Sequence, residues 1–253
     1  MAGELDAALD AAVEAGDLAL KYFRAGVGVE RKADESPVTR ADREGESLIR
    51  ERLSAAFPSY GILGEEFGET AGDGETRWII DPIDGTKSFV YGVPLFAVLI
   101  GLERGGKAVL GVASFPALGE MLWAESGAGA FCNGEPIHVG NTAELKDALL
   151  VCGSPGSFAA RGSSRAFLSI ASKAYATRTW GDAYGHCMVA RGKADVMVDP
   201  RVSVWDTCAL APIVTEAGGV FTDWKGRSGH DFGEQLSSNR LLLPQVLSLL
   251  EVS

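Results

Sequence analysis

The nine residues Trp-Ile-Ile-Asp-Pro-Ile-Asp-Gly-Thr, at positions 78–86, are the stretch from which the fold can be inferred. Three apolar residues come first, and a short apolar run that ends at a turn signal predicts a buried strand. Pro82 has no N–H to donate to a neighbouring strand, so we expect the strand to end at Asp81. Gly85 lets the backbone approach a ligand closely, and Thr86 is suited to start a helix whose free N–H groups attract anions.

Two carboxylates follow the predicted strand. Asp81 and Asp84 are three residues apart, with the carbonyl of Ile83 between them. Hard oxygen ligands beside an anion-binding helix start suit a divalent cation together with a phosphate group. The alternative is a loop in which the two aspartates only stabilise a turn, as Asp-Pro and Asp-Gly pairs often do.

Three further motifs accompany this stretch. They are Gly-Glu-Glu at 64–66, Trp-Asp-Thr-Cys-Ala at 205–209 and Glu-Ala-Gly-Gly at 216–219. With residues 78–86 they resemble the signatures of the inositol monophosphatase family of magnesium-dependent, lithium-sensitive phosphatases, and the resemblance extends from about Lys32 to Gly219. It implies an α/β (α+β) fold, a layered α-β-α-β-α sandwich of the inositol monophosphatase/fructose-1,6-bisphosphatase type. Periodicity alone predicts only a mixed α/β protein.

Composition narrows the range of partners. The 253 residues are 46% hydrophobic and 23% charged, which is typical of a globular protein with a substantial core. The net charge of −11 argues against nucleic acid or an anionic membrane as a partner, since either requires a basic surface. No apolar run approaches the ~20 residues of a membrane span. Residues 1–9 are acidic, so we expect no signal peptide and a cytoplasmic location.

The cysteines and histidines show no metal-binding spacing. The chain contains four dispersed cysteines without a Cys-x-x-Cys pair, which indicates buried free thiols in a reducing compartment rather than disulfides. It contains three histidines, also dispersed, so a zinc site is not expected.

Hydrophobic periodicity divides the chain near residue 145. Before it, we expect a first helix ending near Gly26, a second that Thr39 opens and Pro58 ends, an exposed loop over 67–76, and an antiparallel meander. The predicted meander strands are 95–102, 107–114 and 120–124. Beyond the boundary strands and helices alternate, the last long helix being 204–217. We therefore predict an N-terminal α+β subdomain, 1–145, carrying Glu65 and the 78–86 motif. The C-terminal α/β subdomain, 146–253, carries Asp182, Asp199 and Asp206.

The family resemblance implies that four carboxylates converge. Two unit charges ~4 Å apart repel by roughly 4 kcal/mol at an effective dielectric of about 20, so such a cluster requires a counter-ion or protons. Magnesium fits this requirement because it takes oxygen ligands and bridges to phosphate. By carry-over from the family, Glu65, Asp81 and the Ile83 carbonyl would hold one ion, and Asp81, Asp84 and Asp206 a second. A third ion near Glu65 is a family expectation, giving two to three Mg²⁺ in all. Asp206 could instead simply cap the helix that follows it.

The same resemblance implies a mechanism without a phosphoenzyme, in which water attacks the phosphate directly. Glu65 would bind the metal that activates the water, while Thr86 with Asp42 would orient the water and take its proton. The backbone N–H groups of Gly85 and Thr86 would hold phosphate oxygens. Asp42 could alternatively be only a helix-capping residue. Lys32 resembles a family lysine near the active site, but a lone lysine could equally be a surface charge.

Residues 179–184, Thr-Trp-Gly-Asp-Ala-Tyr, bear on the substrate. Together with Asp-Gly-Thr-Lys-Ser-Phe at 84–89 they resemble the histidinol-phosphate phosphatase branch of the family. Asp182 and Asp199 would then complement the ammonium and imidazole of such a substrate. Asp182 could instead cap the helix that begins at Ala183. The substrate-binding residues implied in full are Asp84, Gly85, Thr86, Gly181, Asp182, Ala183, Asp199 and Asp206.

Other substrates and two other classes of protein remain open, the second class being a purely structural α/β domain, which would leave the clustered acids unexplained. Inositol-1-phosphate, a sugar bisphosphate or a phosphorylated nucleotide would keep the chemistry and change the leaving alcohol. A non-catalytic metal- or phosphate-binding regulatory protein would be expected to lack Thr86, Asp42 or a metal carboxylate, and all are present. The family resemblance also implies a homodimer acting on a small phosphate ester.

Overall fold

The structure is a computed structural model that describes residues 3–25, 29–31 and 37–250. The segment with Lys32 lies outside these residues, and so does the side chain of Thr39. The elements of the first half are, in chain order, α1 Glu4–Ala25, β1 Val29–Arg31, β2 Pro37–Thr39, α2 Arg40–Ala56, β3 Gly61–Gly64, β4 Gly68–Thr70, β5 Thr76–Asp84, α3 Thr86–Val90, β6 Ala97–Arg104, β7 Lys107–Phe115, β8 Glu120–Glu125, β9 Gly129–Cys132 and β10 Glu135–Pro136.

The second half begins after a single 3-10 turn, Leu145–Asp147. Its elements are β11 Leu149–Cys152, α4 Pro155–Ala160, α5 Ser164–Ala171, β12 Ala176–Arg178, α6 Asp182–Ala190, β13 Val196–Asp199, α7 Val204–Thr207, α8 Leu210–Glu216, β14 Val220–Thr222, β15 Gln235–Ser238 and α9 Leu243–Leu250. Strands and helices alternate here as the sequence predicts.

A large sheet in the first half contains the predicted meander. Its strand order is β10-β9-β8-β7-β6-β5-β3-β4, and every neighbouring pair from β5 to β10 is antiparallel. Strand β3 runs parallel to β5. The prediction of an antiparallel meander is confirmed.

Strands β1 and β2 form a separate two-stranded antiparallel sheet. The five-stranded small sheet of the second half has the order β12-β11-β13-β15-β14 and is mixed. Strand β11 pairs in parallel with β12 and β13, whereas β15 is antiparallel to both of its neighbours. The large and the small sheet lie on opposite sides of residue 145 in the sequence, and the division into subdomains there stays a prediction.

The large sheet, the small sheet and the helices form five layers. Helices α1 and α2 pack on one face of the large sheet, α6 and α8 fill the space between the sheets, and α5 and α9 cover the outer face of the small one. Strand β6 has both faces covered: Ile100 packs toward α1 and α2, and Leu99 toward α6 and α8. Each such fully buried aliphatic side chain contributes about 1.5–3 kcal/mol. The predicted α-β-α-β-α sandwich is confirmed.

The prediction that β5 stops at Asp81 is wrong. Strand β5 continues to Asp84, and its register against β6 shifts between Asp81, opposite Leu99, and Asp84, opposite Ala97. This is a β-bulge with one extra residue on β5. Pro82 lies inside the bulge, where the ladder of hydrogen bonds is interrupted and its missing N–H costs little.

Two further predictions require correction. The segment 67–76 is not simply a loop, because β4 lies within it and pairs with β3 at the sheet edge. The predicted helix 204–217 divides into α7 and α8. Pro212 is the third residue of α8, a position whose N–H would have no partner within the helix, and it therefore suits a new helix start.

The remaining predictions about local features hold in the described residues. Helix α1 ends at Ala25, and α2 begins at Arg40 and ends two residues before Pro58. All four cysteines are free; three are buried and Cys132 is partly buried. Among the described residues, the structure contains no helix with the length and apolar character needed to cross a membrane.

Candidate active site

Three aspartates from two distant parts of the chain meet in space. Asp81 and Asp84 lie on either side of the β5 bulge, and Asp206 lies in α7. Each offers a carboxylate oxygen within 4.8 Å of the other two. The bulge lets two aspartates three residues apart reach the same point, because a regular strand would direct them to opposite faces.

Burial and mutual repulsion make this cluster costly without a cation. Burial, followed by the charges of Glu65, Asp84 and Asp206, raises the pKa of Asp81 well above its usual range. The pKa of Asp84 is raised in the same way, by burial first and then by Asp182 and Asp206. Burial also raises the pKa of Asp206 to about 7. Carboxylates so disposed fit a divalent cation with oxygen ligands, because its charge would offset both burial and repulsion.

Each of the three carboxylates is fixed by a backbone hydrogen bond. Oδ1 of Asp81 accepts the N–H of Ile83 at 2.9 Å, and Oδ2 of Asp84 accepts the N–H of Ala183 at 2.8 Å. Oδ2 of Asp206 accepts the N–H of Ser203 at 2.7 Å. Since every carboxylate has two oxygens with several lone pairs, each retains capacity for a cation.

Asp206 can be both a metal ligand and a helix-capping residue. Its bond to the Ser203 N–H is part of a capping box at the start of α7, the short helix that contains Asp206, and not a cap of the helix that follows, α8, whose start has no side-chain cap. The same side chain faces Asp81 and Asp84. Capping therefore holds the carboxylate in the orientation that a ligand would need.

A cavity of about 190 Å³ collects most of the predicted site residues. It is lined by Glu65, Asp81, Ile83, Asp84, Gly85, Thr86, Lys87, Asp182 and Asp206. The hydroxyl of Thr86 donates to the Ile83 carbonyl at 3.2 Å, so this pair is already aligned within the cavity. Asp42 is buried in the first turn of α2 and does not line the cavity, although its charge contributes to the raised pKa of Asp81.

Asp182 does not cap helix α6. The N-cap position belongs to Gly181 and makes no side-chain capping bond, whereas Asp182 has a left-handed backbone with φ of 57°. The N–H of Ala183 is instead taken by Asp84, which joins the start of α6 to the end of β5. Burial, and then the charge of Asp199, raises the pKa of Asp182 to about 6. The capping alternative for Asp182 is therefore wrong.

A second cavity, of about 600 Å³, adjoins the first. Asp182, Asp206 and Lys87 line both cavities. Besides these three, the larger one is lined by Gly153, Ser154, Pro155, Ser157, Thr179, Gly181, Asp199, Pro200, Arg201, Val202 and Ser203. Two carboxylates outside the metal cluster, Asp182 and Asp199, thus face a space large enough for a small organic molecule.

Three contributors were not predicted. Lys87 lines both cavities, and its charge lowers the pKa of Asp182 against the effect of burial. Its position directly after Gly85-Thr86 could have indicated that Lys87 lies at the site. Glu46 and His186 are buried polar residues that do not line either cavity but bind parts of the site. Glu46 accepts the N–H of Glu66, next to Glu65, and His186 contacts Asp199. Glu46 lies on the apolar face of α2, which is an unusual place for a carboxylate and could have drawn attention to it.

Fold and site together define a class of protein. The model of the inositol monophosphatase family matches residues 3–250. The chain therefore belongs to this family of metal-dependent phosphoric monoester hydrolases.

Relatives within the family include enzymes of two named activities. The chain is 47% identical to a histidinol-phosphatase of Chlorobaculum parvum, over 94% of this chain and 92% of that protein. It is 42% identical to a histidinol-phosphatase of Streptomyces coelicolor, over 88% and 86%. An inositol-1-monophosphatase of Mesorhizobium japonicum is 37% identical over 85% and 82%. Among solved structures, the inositol monophosphatase of Thermotoga maritima superposes with a TM-score of 0.89 at 33% identity, covering 98% of this chain and 96% of that one.

Proposed function

We propose that the protein is a magnesium-dependent histidinol-phosphate phosphatase that converts L-histidinol phosphate and water to L-histidinol and phosphate. The observation that carries the proposal is the pair of carboxylates, Asp182 and Asp199, in the cavity next to the aspartate cluster. Histidinol carries an ammonium and a titratable imidazole, and the two carboxylates complement these groups at the end remote from the phosphate. Relatives named histidinol-phosphatase, at 47% and 42% identity, support the same substrate.

We assign the metal ligands as the family resemblance implies. Glu65, Asp81 and the Ile83 carbonyl would hold one Mg²⁺, and Asp81 with Asp84 and Asp206 a second. A third ion would lie near Glu65. When bound, the ions lower the pKa of a water molecule and offset the charge of the phosphate.

The chain itself orients the reactants. The Thr86 hydroxyl donates its hydrogen to the Ile83 carbonyl. The lone pairs of the Thr86 oxygen are therefore available to accept a hydrogen bond from the attacking water. We assign the uptake of the water proton to Thr86 acting with Asp42: as the Thr86 oxygen takes a proton from the water, the Thr86 hydroxyl would turn from the Ile83 carbonyl and pass its own hydrogen to Asp42. The backbone N–H groups of Gly85 and Thr86 would donate to phosphate oxygens. The water oxygen then bonds to phosphorus as the bond to the histidinol oxygen breaks, and the leaving oxygen takes a proton from solvent water, so that histidinol and phosphate are released.

The second candidate is hydrolysis of a polyol phosphate such as inositol-1-phosphate. The observation in its favour is the set of hydroxyl groups in the larger cavity, from Ser154, Ser157, Thr179 and Ser203. A neutral polyol needs such partners and no carboxylate pair. A relative named inositol-1-monophosphatase, at 37% identity, supports this alternative. Sugar phosphates and phosphorylated nucleotides are further candidate substrates of the same chemistry.

A substrate panel separates the candidates. The purified protein is assayed with Mg²⁺ on L-histidinol phosphate, inositol-1-phosphate, fructose 1,6-bisphosphate, a 3′-phosphoadenosine nucleotide and p-nitrophenyl phosphate, with phosphate release as the readout. We expect kcat/KM to be highest on histidinol phosphate by at least about tenfold. A higher value on inositol-1-phosphate would reject the proposal. Asp84→Asn should abolish phosphate release on every ester, and full activity in this variant would favour a non-catalytic role for the cluster.

We further propose a cytoplasmic homodimer that Li⁺ inhibits. Four free cysteines, three of them buried, suit a reducing compartment. The dimer and the lithium effect rest on the family resemblance. Light scattering measures the mass of the assembly, and phosphate release at increasing LiCl, with NaCl as the control, measures inhibition.

A further inference from the structure

Asp199 is held by a buried histidine that takes no part in the chemistry described above. Nε2 of His186 lies 3.3 Å from Oδ2 of Asp199. The other ring nitrogen, Nδ1, lies 2.7 Å from the hydroxyl of Ser237. His186 is 1% exposed and Ser237 is 0% exposed, so water does not compete for these contacts.

The order of donors along this chain of contacts follows from the chemistry of the groups. An ionised carboxylate can only accept, so Nε2 of His186 carries the hydrogen that points to Asp199. In the neutral imidazole Nδ1 is then an acceptor, and the Ser237 hydroxyl donates to it. Ser237 thereby selects the tautomer that contacts Asp199, and the edge of His186 against Phe221, with ring centroids 5.3 Å apart, restrains the ring.

The second oxygen of Asp199 is confined by a close approach of the backbone. A Cβ placed on Gly153 would lie 2.2 Å from Oδ1 of Asp199. Any side chain at residue 153 would therefore rotate the carboxylate away. One oxygen of Asp199 is thus held by a hydrogen bond, and the other is accommodated only because residue 153 is glycine.

Such restraint is needed because a second carboxylate is nearby. The charges of Asp182 and Asp199 repel each other, and both side chains line the larger cavity. A carboxylate free to rotate would relieve the repulsion by turning away from its neighbour, at the expense of a ligand that needs both.

We propose that His186, Ser237 and Gly153 are positioning residues that direct the Asp199 carboxylate into the larger cavity and so set the affinity for the cationic end of the substrate. This inference rests on the proposed function, because it supposes a substrate with a cationic group. It assigns roles to three residues that bind neither metal nor phosphate.

The first test replaces the histidine. In His186→Phe the ring can still pack against Phe221, but both hydrogen bonds are lost. We expect KM on histidinol phosphate to rise by roughly tenfold, because a hydrogen bond to a charged group is lost, with kcat changed by less than about threefold. On p-nitrophenyl phosphate, which has no cationic group, we expect a much smaller change in KM.

Ser237→Ala is a milder variant that keeps the imidazole. It removes only the donor that selects the tautomer, so KM on histidinol phosphate should rise by about two- to fivefold. Ser238→Ala is the matched control. Ser238 is the next residue of β15 and is equally buried, but its hydroxyl donates to the Asn239 carbonyl instead.

Gly153→Ala disturbs the other carboxylate oxygen of Asp199, Oδ1, and leaves His186 unchanged. Because the atom in conflict is the end of a side chain, the carboxylate can rotate away without displacing the backbone, although it then loses its hydrogen bond to His186, and KM on histidinol phosphate should rise selectively. Gly156→Ala is its control, since a Cβ there meets no atom closer than 3.4 Å.

The results separate this inference from the proposed function. If the wild-type protein does not prefer histidinol phosphate, the proposed function is wrong and the inference falls with it. If the wild type shows the preference and neither His186→Phe nor Gly153→Ala alters it, only the inference is wrong. An equal loss on both esters would assign His186 a purely structural role. Should His186→Phe fail to fold, Gly153→Ala and Ser237→Ala decide the question.

Discussion

The carboxylate of Glu46 in α2 accepts the backbone N–H of Glu66 at 2.7 Å. It also accepts the N–H of Phe67 at 3.1 Å and is paired with Arg50, one turn further along the helix, at 2.8 Å. Arg50 in turn donates to the carbonyl of Gly68. Helix α2 therefore holds the turn after β3, and with it the predicted metal ligand Glu65, through a partly buried ion pair.

Glu46→Gln should weaken both the fold and metal binding. An amide cannot accept hydrogen bonds with both of its terminal atoms, so one backbone N–H of the turn is left without its acceptor. We expect the free energy of unfolding, measured by urea denaturation in EDTA, to fall by about 1–3 kcal/mol. The dissociation constant for Mg²⁺, measured by calorimetry, should rise by roughly tenfold as Glu65 loses its support.

The control for this prediction is Glu51→Gln. Glu51 lies on the same helix and is exposed, so the same chemical change should leave stability and Mg²⁺ binding unaltered. Unchanged Mg²⁺ affinity in Glu46→Gln would mean that the turn keeps Glu65 in place without the Glu46 carboxylate.

Glu46 also illustrates where sequence reasoning stops. The residues predicted to bind metal and substrate lie in compact motifs with Asp, Gly and Thr at fixed spacing, and the family resemblance of these motifs implied that Asp81, Asp84 and Asp206 would meet. The supports for those residues are single side chains on other elements. Glu46 contacts Glu66 across 20 residues of sequence, and His186 contacts Ser237 across 51. No local pattern encodes such pairs.

Local rules also failed where tertiary structure overrode them. Pro82 was expected to end β5. It lies instead in a β-bulge, where no ladder hydrogen bond is required of it, and the strand continues to Asp84. Asp182 was a plausible cap for α6, yet the helix N–H that a cap would take is bound by Asp84, a residue 99 positions away. In both cases the competing interaction belongs to the site, where such conflicts are expected.

Asp206→Asn should remove the pH dependence of stability that this residue gives to the metal-free protein. Folding raises the pKa of Asp206 from 3.8 to about 7, so between these values the folded state binds more protons than the unfolded chain. The contribution of Asp206 to stability is therefore present below about pH 4 and is lost as the pH rises through 7. In EDTA at pH 8 we expect Asp206→Asn to be more stable than the wild type by on the order of 1–3 kcal/mol.

The same comparison at pH 3, below both pKa values, should show little difference, since the wild-type carboxyl is then mostly protonated in both states. Urea denaturation at pH 3, 6 and 8 measures the trend, with Asp147→Asn, at an exposed aspartate, as the control. Adding Mg²⁺ at pH 8 should stabilise the wild type more than the variant, which keeps the predicted ligands of the first ion and lacks one ligand of the second. A stability difference that does not depend on pH would contradict the assignment of the shift to Asp206.

Asp182→Asn should lower the preference for a cationic substrate. Asparagine tolerates the left-handed backbone at residue 182, which alanine would not, so the variant removes the charge and keeps the conformation. We expect kcat/KM on histidinol phosphate to fall by roughly tenfold or more, because a charge-assisted contact is lost. Activity on p-nitrophenyl phosphate should change far less, and an equal loss on both esters would reject a role in substrate recognition.

The pH profile of this variant provides a second measurement. The pKa of Asp182 is raised to about 6, so the wild type should lose specificity as the pH falls from 7 to 5 and the carboxyl is protonated. The imidazole of the substrate gains its charge over the same range. The ratio of wild-type to variant kcat/KM cancels that effect, and we expect this ratio to fall towards one at pH 5.

Gly85→Ala should disrupt the phosphate-binding turn through two separable effects. Gly85 has φ of 77°, a left-handed conformation that costs an alanine roughly 1–2 kcal/mol. A Cβ there would also lie 2.9 Å from the Leu95 carbonyl oxygen and 3.3 Å from Oδ2 of Asp182. The backbone must move to relieve the first contact, which displaces the N–H groups of Gly85 and Thr86 from the phosphate.

Gly92→Ala separates conformational cost from steric conflict. Gly92 has φ of 73°, but a Cβ there meets nothing within 4 Å, so this variant bears the backbone penalty alone. We expect Gly92→Ala to lose roughly 1–2 kcal/mol in urea denaturation, and Gly85→Ala to lose more, because its steric conflict adds to the same backbone penalty. Only Gly85→Ala should lose kcat, by about 100-fold or more on every ester, because misplaced donors no longer stabilise the transition state. Since the conflict at Gly85 lies with the Leu95 carbonyl as well as with Asp182, the double variant Gly85→Ala/Asp182→Asn should recover no kcat. A kcat in Gly85→Ala as high as that in Gly92→Ala would mean that the phosphate is held by side chains and metal, without these N–H groups.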